Sequence, residues 1–114
     1  GLGDVYKRQV LVSNSALHHF HDPSRFWSAL KKLGKTECIH IHRDLIRPAS
    51  VEKAFELKEK HLSNSPEILK KDFYASLKAS FTVEEVSQQL VNAGLSQLEL
   101  FQVDELYFEI IGCI

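Results

Sequence analysis

The residues best suited to chemistry fall in two short stretches. The first is Ser13-Asn14-Ser15-Ala16-Leu17-His18-His19-Phe20-His21-Asp22. Imidazoles exchange protons near neutral pH, so His18 and His19 are candidate acid–base groups. His18, His19 and His21 could also be read as zinc ligands, but adjacent histidines converge poorly and no carboxylate or Cys set completes a tetrahedral spacing. His21-Asp22 could be the metal dyad of an all-helical phosphohydrolase, a reading opposed by strand-like flanks and by Pro23. The bland alternative is a surface loop of hydrogen-bonding histidines. The second stretch is Cys38-Ile39-His40-Ile41-His42-Arg43-Asp44-Leu45-Ile46-Arg47-Pro48. On a strand, Cys38, His40 and His42 share one face. Two histidines at that spacing can chelate a metal; beneath helices they are more readily buried as neutral, hydrogen-bonded imidazoles, because a buried charge is costly. No metal is expected. Asp44 could act as a base or orient one. Asp44 and Arg47 could equally make a loop ion pair or a helix cap. Tyr74 carries a hydroxyl among aromatics (Trp27, Phe73, Phe81) that otherwise read as helix packing.

The elements that must position these residues follow from periodicity. Val10-Leu11-Val12 reads as a buried strand ending in the polar stop Ser13-Asn14-Ser15. Asp22-Pro23 caps a helix that carries Phe26, Trp27, Leu30 and Leu33 inward and stops at Gly34. Cys38–His42 is a second strand, and Asp44-Leu45-Ile46-Arg47-Pro48 leaves it. A helix from Ser50 places Val51, Ala54, Phe55, Leu57 and Leu62 on an apolar stripe. Ser63-Asn64-Ser65-Pro66 breaks it, and a further helix carries Ile68, Leu69, Phe73 and Leu77. Thr82-Val83-Glu84-Glu85 is a capping box opening a helix with Val83, Val86, Leu90 and Val91 inward, ended by Gly94 in a left-handed conformation. Leu98–Val103 and Leu106–Ile111 form an antiparallel hairpin across Asp104-Glu105. The order is strand, helix, strand, helices, strand, strand. That argues for an α/β fold, a parallel sheet closed by the hairpin and covered on both faces. In such sheets ligands sit outside the carboxyl ends of the strands, here at Ser13-Asn14-Ser15 and Asp44. Asn and Ser are also simple turn formers.

Composition narrows the partners. The 114 residues suit one domain of ordinary size. With 14 Lys+Arg against 15 Asp+Glu there is no basic nucleic-acid footprint. No apolar run approaches the ~18–20 residues of a membrane helix. Neither a nucleic acid nor a membrane is therefore an expected partner. Two cysteines make no disulfide framework and fit a reducing, cytoplasmic setting.

The order and residues together resemble the C-terminal half of a class I S-adenosylmethionine-dependent methyltransferase of small-molecule type. Val10–Phe20, with its hydrophobic strand, small polar pair and Leu-His-His, resembles that family's fourth strand and following loop. Asp44-Leu45-Ile46-Arg47-Pro48 resembles the end of its fifth strand. The aromatic helix Asp72–Phe81 running into the Thr-capped one resembles the stretch that follows, and the hairpin matches the sixth and seventh strands. The resemblance implies a partial doubly wound, Rossmann-like sheet over residues 10–114. It implies S-adenosyl-L-methionine as cofactor, with Ser13, Asn14, Ser15, Leu17 and His18 beside it. It also implies a small-molecule acceptor met by His19, Asp44, Arg47 and Tyr74. Methyl transfer is an in-line displacement that depends chiefly on alignment, so few obligatory catalytic side chains are expected.

The family's Gly-rich loop and its acidic ribose ligand have no counterpart here. The five glycines are Gly1, Gly3, Gly34, Gly94 and Gly112. Gly1-Leu2-Gly3 has no strand before it and no helix after it. Residues 1–9 read as a non-native leader, since Asp4–Gln9 resembles translated sequencing-adapter read-through. The expectation is a methyltransferase fragment, inactive alone. Two alternatives stand beside it. One is a non-catalytic half that docks with a separate cofactor-binding chain along the open edge of the first strand. The other is a His-rich metal-dependent hydrolase.

Overall fold

A computed structural model describes residues 9–114. The leader reading falls on residues 1–8, outside the described residues, except at Gln9. The Gln9 side chain bridges Leu33 O at 2.8 Å and Lys35 N at 2.7 Å.

The chain runs β1 (Val10–Asn14), a 3-10 turn (Leu17–His19), α1 (Pro23–Leu33), β2 (Ile39–Leu45), α2 (Val51–Leu62), α3 (Glu67–Ala79), α4 (Val83–Asn92), β3 (Glu99–Gln102) and β4 (Tyr107–Cys113). Local signals account for the helix boundaries. The Asp22 carboxylate accepts from Ser24 N at 3.1 Å, with Pro23 at the first helical position. Ser50 Oγ accepts from Lys53 N at 3.0 Å. At Thr82 both arms of the capping box form, 2.9 and 3.1 Å long. Gly94 follows α4 at φ +73°, the left-handed conformation that favours glycine.

The four strands form one sheet in the order β1-β2-β4-β3. β1 and β2 are parallel, with Val10 opposite Ile39 and Ser13 opposite His42. β4 runs antiparallel to both β2 and β3, so the last strand in sequence lies inside the sheet and β3 takes the edge. The other edge, along β1, pairs with no strand among the described residues.

This register assigns every strand residue to a face. One face carries Leu11, Ser13, His40, His42, Asp44, Leu100, Phe108 and Ile110. Helices α1 and α4 cover it, and the core lies between: Phe26, Trp27, Leu30, Val86, Leu90, Leu95 and Leu98 pack with Phe108 and Ile110. The opposite face carries Val10, Val12, Ile39, Ile41, Ile111 and Phe101. It is covered only at one end, where Leu45 packs with Ala54, Leu57, Leu77 and Leu106 beneath α2 and α3. Elsewhere it is open: Val10 is 48% exposed, Val12 68% and Ile41 42%.

Several expectations change. The first strand is not buried; only alternate residues, Leu11 and Ser13, face the core. Among the described residues the sheet is not covered on both faces. β2 continues through Asp44 and Leu45, so Asp44 is a strand residue and not the start of a loop. Leu33, Val51, Phe55, Ile68, Leu69 and Val91 are exposed although helical spacing put them on apolar stripes. For the exposed apolar side chains the physical reason is shared: periodicity marks an apolar stripe whether or not a second layer is present to meet it.

Candidate functional site

The site lies at the carboxyl ends of β1 and β2. After Asn14 the chain turns through Ser15, which adopts φ +58°. Ser15 N donates to Arg43 O at 2.9 Å, closing the parallel pair. The turn Leu17–His19 follows and drives Leu17 into the core beside Phe26 and Trp27. That insertion carries His18 over the end of β2.

There His18 meets Asp44, 26 residues on. His18 N donates to Asp44 Oδ2 at 2.9 Å, and His18 Nδ1 lies 2.8 Å from Asp44 Oδ1. Leu45 N donates to the same Oδ1 at 2.7 Å. Both side chains are buried, at 5% and 4% exposed. An acceptor-only carboxylate satisfies all three donors, and it requires the imidazole hydrogen on Nδ1. Nε2 of His18 is buried without a hydrogen-bond partner among the described residues.

A second polar chain runs along the same sheet face. Ser13 Oγ lies 2.8 Å from His42 Nδ1, and His42 Nε2 lies 3.0 Å from His40 Nδ1. Burial beneath Phe26 and Trp27, reinforced by the neighbouring His40, pushes the His42 pKa down to about 4. Burial lowers His40 as well. Both are neutral at pH 7, as hydrogen-bonded core histidines should be. His40, His42 and Asp44 thus form a buried polar series at i, i+2, i+4 between the apolar Ile39, Ile41 and Leu45 of the other face. The link from Ser13 to His42 was missed in the sequence. Its one signal was that alternation; the partner depends on parallel register, which no local pattern encodes.

The remaining candidates separate. Asn14 is exposed, with Oδ1 accepting from Ser15 Oγ at 3.2 Å. His19 is exposed, its ring 4.1 Å from that of His18. Arg47 pairs with Glu85 of α4 at 2.9 Å and reaches Ser80 O at 3.4 Å. The Glu85 carboxyl is held below its ordinary pKa by the Thr82 backbone first, then by Arg47. Tyr74 packs edge-on against Phe55, with the Lys78 ammonium 4.1 Å from its ring centroid. A cavity of about 270 Å³ lies between Arg47, Ser50 and Lys78. A larger one of about 380 Å³, unsuspected from the sequence, lies between α1 and α4 beside Trp27, Lys31 and Gln89. Neither is lined by His18 or Asp44. Among the described residues, no group of three or more His, Cys, Asp or Glu is placed to hold a metal. Among the same residues no helix is long and apolar enough to cross a membrane.

For a cofactor of the size of S-adenosylmethionine the strand-end residues are one flank and not an enclosure. Ser13 is engaged with His42, Leu17 is in the core, His18 is held by Asp44, and the Asn14 and Ser15 side chains hydrogen-bond to each other. These residues alone do not fit the whole group.

No protein-family model matches the chain, and no curated protein matches it. Among solved structures it is similar to a SAM dependent methyltransferase from Aquifex aeolicus, with a TM-score of 0.56 and 15% identity. The match covers 93% of this chain and 45% of that one, so the chain spans less than half the length of its structural neighbour. Over nearly all of its length, then, the chain shares the α/β fold of a S-adenosylmethionine-dependent methyltransferase.

Proposed function

We propose that residues 10–114 are the acceptor-side, C-terminal half of a methyltransferase domain that moves a methyl group from S-adenosylmethionine to a small molecule. The half is inactive until a Gly-rich, cofactor-binding half joins it. The observation that carries this reading is the asymmetry of the sheet. One face is closed by α1 and α4, while the other exposes Val10, Val12 and Ile41 next to the unpaired edge of β1. A doubly wound sheet has helices on both faces, so another strand and its helices fit where this surface is bare. The 45% coverage of the structural neighbour points the same way. In this reading Ser13, Asn14, Ser15, Leu17 and His18 belong to the cofactor side. His19, Asp44, Arg47 and Tyr74 belong to the acceptor side. The same bare edge favours a second reading, in which the other half is a separate chain and this one docks with it without itself being catalytic.

Two measurements test the proposal. Calorimetry of the chain with S-adenosylmethionine should find no micromolar binding, and micromolar affinity would refute the one-flank site. The reading frame upstream should encode a Gly-rich loop after a strand. The chain joined to that segment should bind the cofactor and melt as one unit. An upstream region without such a loop, or a lone chain that is a clean monomer with a cooperative melt, overturns the half-domain reading.

A further inference from the structure

We propose that the cavity between Arg47, Ser50 and Lys78 binds the oxyanion group, a carboxylate or a phosphate, of a small molecule. For the ligand's role the inference rests on the acceptor-side reading and deepens it, by giving the acceptor's charge. The binding itself stands apart from that reading.

Charge is the first reason. Two residues that line this cavity of about 270 Å³, Arg47 and Lys78, are cations, and none of the others is a carboxylate. Both side chains are protonated at neutral pH, and neither charge depends on a tautomer. Like charges facing one small space repel, and an anion between them relieves the repulsion. The backbone that brings them together is fixed. Arg47 follows the end of β2, and Lys78 lies in the last turn of α3. Ile46 bridges to Phe81, and Arg47 N donates to Phe81 O at 3.1 Å. Leu77, next to Lys78, is fully buried and anchors that last turn.

Each cation is also held by a partner that does not line the cavity. Arg47 Nη1 meets Glu85 Oε1 at 2.9 Å and Ser80 O at 3.4 Å. Nε and Nη2 keep their N–H groups without a partner among the described residues, on a side chain 40% exposed. A guanidinium offers these hydrogens in a planar fork that matches a carboxylate or a phosphate. The Lys78 ammonium lies 4.1 Å from the Tyr74 ring centroid. A ring face steadies an ammonium without supplying the oxygen that an ammonium binds best. Lys58, 5.4 Å from the same centroid, adds a charge of the same sign, although Glu59 pairs with it at 3.2 Å. A cationic guest would be repelled here, and a neutral one would leave both charges uncompensated. The volume limits the guest as well. Pockets for drug-sized ligands start at roughly 300 Å³, so this one suits an anionic head on a small body.

Proton–nitrogen correlation NMR of the chain tests the site without any cofactor. The probes are benzoate, inorganic phosphate and benzamide, the neutral analogue of benzoate. Benzoate or phosphate should shift the amides of Val51 and Lys78 in a saturable way, and benzamide should not. A response to benzoate alone assigns a carboxylate, and a response to phosphate alone assigns a phosphate. Lys78→Gln, at an exposed position, should fold and weaken anion binding about three- to fivefold. Glu85→Gln should act in the opposite direction. Its amide oxygen can still accept from Thr82 N in the capping box, while the carboxylate that competes for Arg47 is gone, so binding should tighten about threefold. A cavity that only packs the loop would show no such gain. An equal response to benzamide, no response to either anion up to its solubility limit, or an affinity unchanged in either variant overturns the inference. Failure of the methyltransferase reading would show separately, as an upstream segment with no Gly-rich loop, and would leave the titrations standing.

Discussion

The two faces of the sheet come from the same strands and differ in everything that follows. On the covered face Trp27 is 1% exposed and donates Nε1–H to Gln89 at 3.0 Å, while Phe108 and Ile110 close the layer. On the open face Val12 and Ile41 stand as neighbours in register with no layer above them among the described residues. Hydrophobic residue type is therefore not what buries a side chain here. Burial needs a second element, and α1 and α4 supply one on a single side. The polar residues follow the same division in reverse. His40 and His42, which tolerate water, lie inside, while Val10, Val12 and Ile41 lie outside. The covered face spends its polarity on specific links, Ser13 to His42 to His40 and Asp44 to His18. The open face has apolar surface in reserve, as a docking face does.

The largest expected effect lies at the centre of the covered face. Trp27→Ala should cost about 3–5 kcal/mol in urea unfolding, and a loss below about 1 kcal/mol would mean that this face is not the core. The histidine pair comes next. His42 is depressed from 6.5 in the unfolded chain to about 4 in the folded one, and His40 moves in the same direction. Their contribution is fully present above pH 6.5 and is lost as pH falls toward 4, with a slope of up to about 1.4 kcal/mol per pH unit for one proton. The window from pH 6.5 to 5 isolates it. Asp22, Glu59, Glu85 and Glu105, all depressed, lose their contributions only at lower pH. Urea midpoints that stay flat across that window would place the histidines in water. A third test sits at an edge of the core: Thr82→Ala should cost about 1 kcal/mol by removing the α4 cap. The smallest change is predicted on the open face. Val12→Thr should alter stability by no more than about 0.5 kcal/mol while reducing self-association by light scattering. A large loss of stability there would show that a second copy already covers the face in solution.

Much of this architecture was legible in the residues. The capping box at Thr82, the Asp22-Pro23 start and the left-handed Gly94 each depend on contacts within four positions, and each forms. The alternation of His40 and His42 with Ile39 and Ile41 correctly separated two faces. The expectation of cover on both faces came from the parallel-sheet rule, and among the described residues it fails on the face of Val10, Val12 and Ile41. Asp44 was placed in a loop since Arg47-Pro48 signals an exit. Pairing with Phe108 and Tyr107 of β4 carries the strand on to Leu45. The site was legible as a list of residues and not as an arrangement. Arg47 and Tyr74 have their own partners, Glu85 and the Phe55–Lys78 cluster. His18 and Asp44 proved to be one unit.

What the amino-acid sequence determined by itself was therefore local: which segments are helix or strand, where the helices begin, and which side chains share a face. Those properties rest on spacings of two to four residues and on side chains capping their own backbone. Only the tertiary structure decided that β4 lies between β2 and β3, that the histidine face is the covered one, and that His18 closes on Asp44 with one nitrogen left over. Each of these joins residues far apart in the chain. Each is set by which surfaces exclude water together, a matter that spacing along the chain leaves open.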